Sequence, residues 1–131
     1  MNQHYHIKVE AATGRGLYAN YDLRAGMVIA SEELLVLSSF DTPFVNGTDL
    51  KYYTFKFDML QDCLVLGDGE LYNHSDDPNV GYKLCDHDGR KVMTFFTLKE
   101  VKTGEQLFID YTDDEKVDTK KYVVNLIGTL K

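Results

Sequence analysis

The sequence predicts a mainly β domain, and three observations carry that reading. Residues 53 to 59, YTFKFDM, set Tyr53, Phe55, Phe57 and Met59 against Thr54, Lys56 and Asp58, the period-two alternation of a half-buried strand. Glycine-bearing turn signals recur between short apolar runs. Helical spacing is confined mainly to the end of the chain, where DDEKVDTKKYVVNLIGTLK from Asp113 places acids first and lysines later, with Val117, Val124 and Ile127 near one helical face.

In chain order, strands are expected at 5–9, 16–19, 34–37, 53–59, 63–66, 81–84, 91–97 and 106–111. LRAGM (23–27) and VKTGE (101–105) share an apolar, basic, small, Gly pattern that fits tight turns ending on a positive φ. CDHDG (85–89) carries the Asp-Gly signal of a hairpin. The β-branched YVVNLI segment leaves a strand open as an alternative for the tail. No linker or repeat interrupts the chain, so one domain is expected.

Composition narrows the function. The chain has 131 residues, 44% of them apolar and 12% aromatic, enough for a real core. Acidic residues outnumber basic ones, 21 to 14, for a formal charge of −7, which argues against nucleic acid or an anionic membrane and favours a basic partner. MNQHYHIKVE has no apolar signal core, and no run approaches the roughly 18 apolar residues of a membrane span, so a cytoplasmic location is expected. Cys63 and Cys85 are too few for a disulfide framework and read as reduced thiols.

Three segments concentrate polar chemistry: GRGLYA (14–19), LYNHSDDPNV (71–80) and GEQLFIDY (104–111). The first lacks the GxxxxGK[ST] pattern and leads into a strand rather than a helix, so it is no nucleotide P-loop; its two glycines do let backbone approach a ligand closely. In the second, an ordinary turn, a metal site or a cofactor-pocket wall are all open. Cys63, His74, Cys85 and His87 could form a Cys₂His₂ set, but their spacings match no zinc pattern. NGT (46–48) and NHS (73–75) match the glycosylation sequon, which means little without a secretory signal.

Taken together and in order, these segments resemble the landmarks of the SET domain, the lysine-methyltransferase fold, whose usual forms are GxG-aromatic-Ala, NHS-x-xPN and GEEL-xxxY. The resemblance covers nearly the whole chain. It implies a β-clip fold of several short curved sheets, few short helices and a knot-like threading of the NHS segment near the C-terminus. It places a SET domain at 1–112 and a helical, post-SET-like tail packed on it at 113–131.

It also implies S-adenosylmethionine as cofactor and a lysine-bearing protein or peptide as substrate. Gly14, Arg15, Gly16 and Tyr18 fall on the cofactor-binding segment. Asn73 and His74 fall on positions that hold the methionine moiety and adenine through side-chain and backbone hydrogen bonds. Tyr111 falls on the tyrosine of the final motif, both cofactor-binding and catalytic. Tyr53, with Tyr52 as fallback, is the second catalytic aromatic. The lysine channel is walled by Tyr53, Tyr72, Ile109 and Tyr122.

Physical chemistry supports such a site. Displacement at a sulfonium needs no metal and no covalent intermediate, so positioning carries the catalysis. Tyrosine rings attract sulfonium and ammonium, and their hydroxyls can orient the amine. A free lysine near pKa 10.4 holds its neutral form roughly 4.6 kcal/mol uphill at pH 7. Burial beside a cationic sulfonium lowers that cost, which gives Tyr111 an orienting and electrostatic role rather than that of a base. In the last strand, Leu107, Ile109 and Tyr111 share a face by alternation, so Ile109 is expected beside the reaction centre. Lacking a hydroxyl there, the site is expected to allow more than one methylation.

The chain departs from many family members. Asp76 stands where another Cys often follows NHS, and no Cys occurs after Cys85, so no zinc or other metal is expected. Tyr122, the substrate or a second subunit is then left to close the lysine channel. A homodimer remains open, and direct nucleic-acid or membrane partners are not expected. Plainer readings keep His74 as a satisfied buried histidine, Asp76, Asp77 and Asn79 as turn residues, and Phe55 and Phe57 as core. Beside the methyltransferase stand two alternatives: a catalytically weak SET-like module that binds peptide or cofactor without turnover, and an unrelated small metal-binding β-protein.

Overall fold

The computed structural model describes residues 2–12 and 14–111. Contacts divide the chain into two compact units. The first comprises the chain up to Ser31 with Leu71–Tyr82 and Thr94–Tyr111; among the described residues, the second comprises Glu32–Glu70 and Lys83–Met93. The elements in chain order are β1 (Tyr5–Glu10), β2 (Gly14–Ala19), β3 (Val28–Val36), α1 (Thr42–Val45), a 3-10 helix (Asp49–Tyr53), β4 (Thr54–Lys56), β5 (Asp62–Val65), a second 3-10 helix (Asp68–Leu71), β6 (Asn73–His74), β7 (Val80–His87), β8 (Arg90–Thr97) and β9 (Gln106–Ile109).

In the first unit, four strands pair in the order β1-β2-β9-β6. β1 and β2 run antiparallel from Tyr5↔Ala19 to Glu10↔Gly14, and β2 continues antiparallel onto β9 through Leu17↔Leu107 and Tyr18↔Gln106. Alternation sends Leu17, Leu107 and Ile109 into the core, all essentially without solvent exposure. Tyr72 joins them, its ring stacked on Phe95 at 4.7 Å and meeting Tyr5 edge-on at 6.5 Å. Each such buried side chain stabilises the unit by about 1.5–3 kcal/mol. The two repeated glycine patterns are turns, as expected: Gly26 (φ 76°) donates to Thr97 O, and Gly104 (φ 82°) donates to Ala19 O. An antiparallel bridge between Leu23 and Val101 places the two turns side by side.

In the second unit, β4, β5 and β3 pair antiparallel, with Phe55↔Cys63 and Leu35↔Leu64 fixing the register. α1 carries proline in its first turn, where the missing N–H costs nothing. It is tied down by the Thr42 hydroxyl accepting from Asp62 N (3.1 Å) and by Asn46 Nδ2 donating to Asp62 Oδ2 (2.9 Å). Asp88 and Gly89, at φ 53° and 83°, form the tight turn joining β7 to β8 that Asp-Gly predicts. Arg90 pairs with Glu33. Cys63 and Cys85 are buried free thiols.

Several expectations need correction. The strand expected over 53–59 is only Thr54–Lys56. Before it, Thr48 caps a 3-10 helix that ends on Tyr53. After it, Asp58 Oδ1 accepts from Leu60 N and Gln61 N, folding the chain into a turn that leaves Phe57 only half-buried and Met59 exposed. β3 starts at Val28, well before the expected 34–37. β9 stops at Ile109, so Tyr111 lies beyond the strand instead of completing its alternation. The tail at 113–131, with Tyr122, lies outside the described residues.

Candidate functional site

β9 is the element on which the three motif segments meet. It lies between β2 and β6 in the first unit's sheet, with β6 running parallel to it through Asn73↔Phe108 and His74↔Ile109. Two residues are a meagre strand, and side chains reinforce it. Asn79, nearly buried, donates from Nδ2 to Gln106 O at 2.9 Å and accepts from Phe108 N at Oδ1 at 2.8 Å, while Ser75 N donates to Ile109 O. A loop residue thereby takes the hydrogen-bonding place of a strand neighbour.

Gly16 sits against this junction. Asn73 Nδ2 donates to Gln106 Oε1 (2.7 Å) and to Arg15 O (3.1 Å). A β-carbon on residue 16 would come within 2.5 Å of Gln106 Oε1 and 3.0 Å of Asn73 Nδ2, so only glycine lets β2 and the two amides close together. With both amide protons of Asn73 used inside the protein, its Oδ1 is the acceptor the side chain has left to offer.

The next residue faces the other way along the site. His74 Nδ1 accepts from the backbone N–H of Tyr111 at 2.9 Å, which leaves Nε2 to donate to Asp76 Oδ1 at 2.9 Å. The His74 and Tyr111 rings lie 5.1 Å apart at 46°. Asp110, nearly buried, approaches His74 Nδ1 to 3.8 Å. The ligand atoms of His74, Asp76 and Asp110 thus lie within 4.8 Å of one another, but both ring nitrogens already have partners. Tyr111 itself donates from its hydroxyl to Tyr72 O at 2.5 Å, with about half its surface exposed.

The tripeptide Tyr72-Asn73-His74 therefore touches both ends of the site: Arg15 and Gln106 through Asn73, and Tyr111 through the Tyr72 carbonyl and the His74 ring. Gly16, Asn73, His74 and Tyr111 are brought together as a group. Tyr18 is nearby on β2, its ring covered by His6 (6.0 Å, stacked) and by Lys8 Nζ at 5.3 Å. Gly14 and Arg15 open the same strand, both exposed. Tyr72 and Ile109 are buried in the core of the first unit. Tyr53, 44% exposed, and Tyr52, 74% exposed, belong to the second unit, at the end of its first 3-10 helix.

Two residues of the site carry no role in the sequence reading. Gln106 is visible only as the residue where GEEL has its second Glu, and Asn79 is masked by the turn-like composition of DDPN. In the second unit, Glu32 and Glu70 are likewise unassigned. Glu32 accepts from Asp68 N (2.9 Å) and Gly69 N (2.7 Å), and Glu70 accepts from Val65 N (2.9 Å). Burial pushes both carboxyls upward, Glu70 to about 7, against the partial relief those N–H groups provide.

The SET domain family model matches residues 14–112. The chain is 32% identical over 101 residues to the H3 lysine-37 specific histone-lysine N-methyltransferase of Schizosaccharomyces pombe, covering 76% of this chain and 67% of that protein. It is 33% identical over 114 residues to the histone-lysine N-methyltransferase trithorax of Drosophila virilis, covering 79% of this chain but only 3% of that much longer protein. Among solved structures, a Plasmodium falciparum chain described as a histone methyltransferase matches with TM-score 0.70 at 20% identity, over 85% of this chain and 95% of that one. A chain of Polycomb Repressive Complex 2 from Chaetomium thermophilum, autoinhibited and bound to S-adenosylmethionine, matches with TM-score 0.72 at 21% identity, over 95% of this chain and 17% of that one.

Proposed function

The chain belongs to the SET domain family, and from that premise we propose that it transfers a methyl group from S-adenosylmethionine to a lysine ε-amine of a protein substrate. The observation that carries this reading is the meeting of Gly16, Asn73 and Tyr111 around one tripeptide, Tyr72-Asn73-His74.

The residues present fit the cofactor. S-adenosylmethionine supplies an electrophilic methyl group on a cationic sulfonium. Gly14 and Arg15 are exposed at the start of β2, and Asn73, which donates to Arg15 O, keeps its Oδ1 to accept from the cofactor's ammonium. His74 contributes through its backbone, because its ring braces Tyr111 and Asp76. Tyr111, anchored through its hydroxyl to the Tyr72 carbonyl, presents that carbonyl–phenol pair to the incoming amine, orienting it and excluding water. Tyr72 and Ile109, both of the first unit, stand as channel residues in this reading.

The acidic balance of the chain favours a basic segment as substrate. The relatives named for histone lysines support a histone-like tail as the first one to try. Incubation with tritium-labelled S-adenosylmethionine and a mixture of core histones tests the reading. Label is expected in a histone band with the native protein and strongly reduced with Tyr111→Phe. No transfer, together with no calorimetric binding of S-adenosylhomocysteine, overturns it.

A further inference from the structure

Asn46 is the one asparagine of the chain that is followed by glycine. It caps the C-terminus of α1, and its side chain helps tie that single turn to β5, Nδ2 donating to Asp62 Oδ2 at 2.9 Å. Asp62 is nearly buried, whereas Asn46 and Gly47 are exposed. The glycine is set by packing: a β-carbon on residue 47 would press on Phe44 O at 3.3 Å, the same oxygen to which Gly47 N donates at 3.1 Å.

An asparagine side chain and the backbone nitrogen that follows it can react with one another. The Gly47 nitrogen, once deprotonated, adds to Asn46 Cγ and forms a C–N bond that closes a succinimide ring; the side-chain nitrogen leaves as ammonia, taking the proton. Water then opens the ring at either carbonyl and leaves aspartate or isoaspartate at 46, with no change of oxidation state. Glycine at 47 leaves the attacking nitrogen unshielded. In the folded turn the reaction is held back. Asn46 is helical, at φ −69° and ψ −10°, which turns Gly47 N away from the Asn46 side chain, and that N–H is already engaged by Phe44 O. Ring closure therefore needs α1 to open. A helix of four residues has little stability of its own, so the ties from Asn46 and Thr42 to Asp62 set how often it does.

We propose that Asn46 is a self-modifying site, whose hydrolysis releases α1 from Asp62 for good. The product sets a carboxylate where the amide donor stood, beside that of a nearly buried aspartate. The hydrogen bond has then lost its proton, and two like charges face one another. Lys56 Nζ, 3.9 Å from Asp62 Oδ1, is too distant to replace the bond. Water is the only co-reactant, so the change advances with the age of the protein. It needs no methyl donor and stands apart from the methyltransferase reading.

The test follows the native protein by peptide mass spectrometry during prolonged incubation at neutral pH. The peptide carrying residues 46 and 47 is expected to gain the mass difference between an NH2 and an OH group. The converted fraction, separated by ion exchange through its added negative charge, should exchange the amide hydrogens of Val45 and Asn46 at least about tenfold faster than the unconverted one. Asp62→Ala, which cuts the tie, should speed conversion about tenfold, and Gly47→Ala should suppress it. If Asp62→Ala does not fold, Asn46→Asp supplies the exchange measurement through the same change of charge. Three results overturn the assignment: conversion that Asp62→Ala leaves at the native rate, α1 amides that exchange as before in the converted fraction or in Asn46→Asp, or a folded protein that stays intact while the same chain converts in denaturant.

Discussion

The hydroxyl of Tyr111 donates to the carbonyl oxygen of Tyr72, the residue immediately before the Asn-His pair. This bond joins the end of the GEQLFIDY segment to the segment that carries Asn73. Tyr111→Phe removes it while keeping the ring beside His74. Turnover is expected to fall about a hundredfold to a thousandfold, the usual cost of losing one positioned hydrogen-bond donor. Cofactor affinity should stay within about twofold, since Asn73 and Gly16 are untouched. A radiometric assay with parallel calorimetry separates the two quantities; undiminished turnover would remove Tyr111 from the chemistry.

Gly16→Ala should separate binding from folding. The new methyl group would land 2.5 Å from the end of the Gln106 side chain, which is flexible enough to swing aside. The stability cost is therefore small, about 1 kcal/mol. The displaced Gln106 would no longer hold Asn73, and S-adenosylhomocysteine binding should weaken at least about tenfold. Retention of native affinity in a folded variant would show that the cradle is not where the ligand sits.

Asn79→Ala is expected to act through β9. It strips the partners from Phe108 N and Gln106 O, each held by the buried amide. Leaving two backbone groups unsatisfied should lower stability by about 2–3 kcal/mol, which thermal or denaturant unfolding would register. Asn79→Asp should recover only the half that accepts from Phe108 N. A loss confined to a few tenths of a kcal/mol would mean that solvent reaches β9 freely.

The acidic pair of the second unit sets a pH dependence. Burial raises the Glu70 carboxyl from an ordinary 4.5 to about 7, so between those values the folded protein holds a proton that the unfolded chain releases. Stability is therefore greatest at the acidic side and declines as pH rises from about 4.5 towards 7. Allowing for solvent screening, the change is about 1–2 kcal/mol. Unfolding in denaturant at pH 5 and pH 7.5 would show it, and Glu70→Gln should flatten the profile. A profile for Glu70→Gln as steep as the native one would assign the slope elsewhere.

Much of the first unit is legible in the sequence, because local chemistry and tertiary structure agree there. Gly26 and Gly104 need positive φ, and glycine is nearly the only residue type that takes it at low cost, so turns read directly. The motif segments read well for a similar reason: Gly16 and Asn73 are fixed by close approach, which few other side chains allow. The second unit is harder. YTFKFDM alternates perfectly, yet its strand is cut short at both ends by Thr48 and Asp58, whose side-chain bonds to nearby backbone override the pattern.

Roles that depend on distant partners are the least visible. Asn79 looks like any turn asparagine until β9 is seen to need it 27 and 29 residues away. Ser31 and Glu32 look unlike strand core, which hid the first half of β3. The Ser31 hydroxyl meets that of Thr94, and the Glu32 carboxylate is enclosed by backbone N–H groups of 68 and 69.

The parallel pairing of β6 with β9 imposes an order on biosynthesis. A nascent chain that has emerged as far as residue 100 already contains both the glycine motif and the Asn-His pair, but nothing yet to seat them on. The junction of the three motif segments can form only once residues 106 to 111 have left the ribosome, so it matures with β9. Products that stall or end before Gln106 should lack that junction altogether.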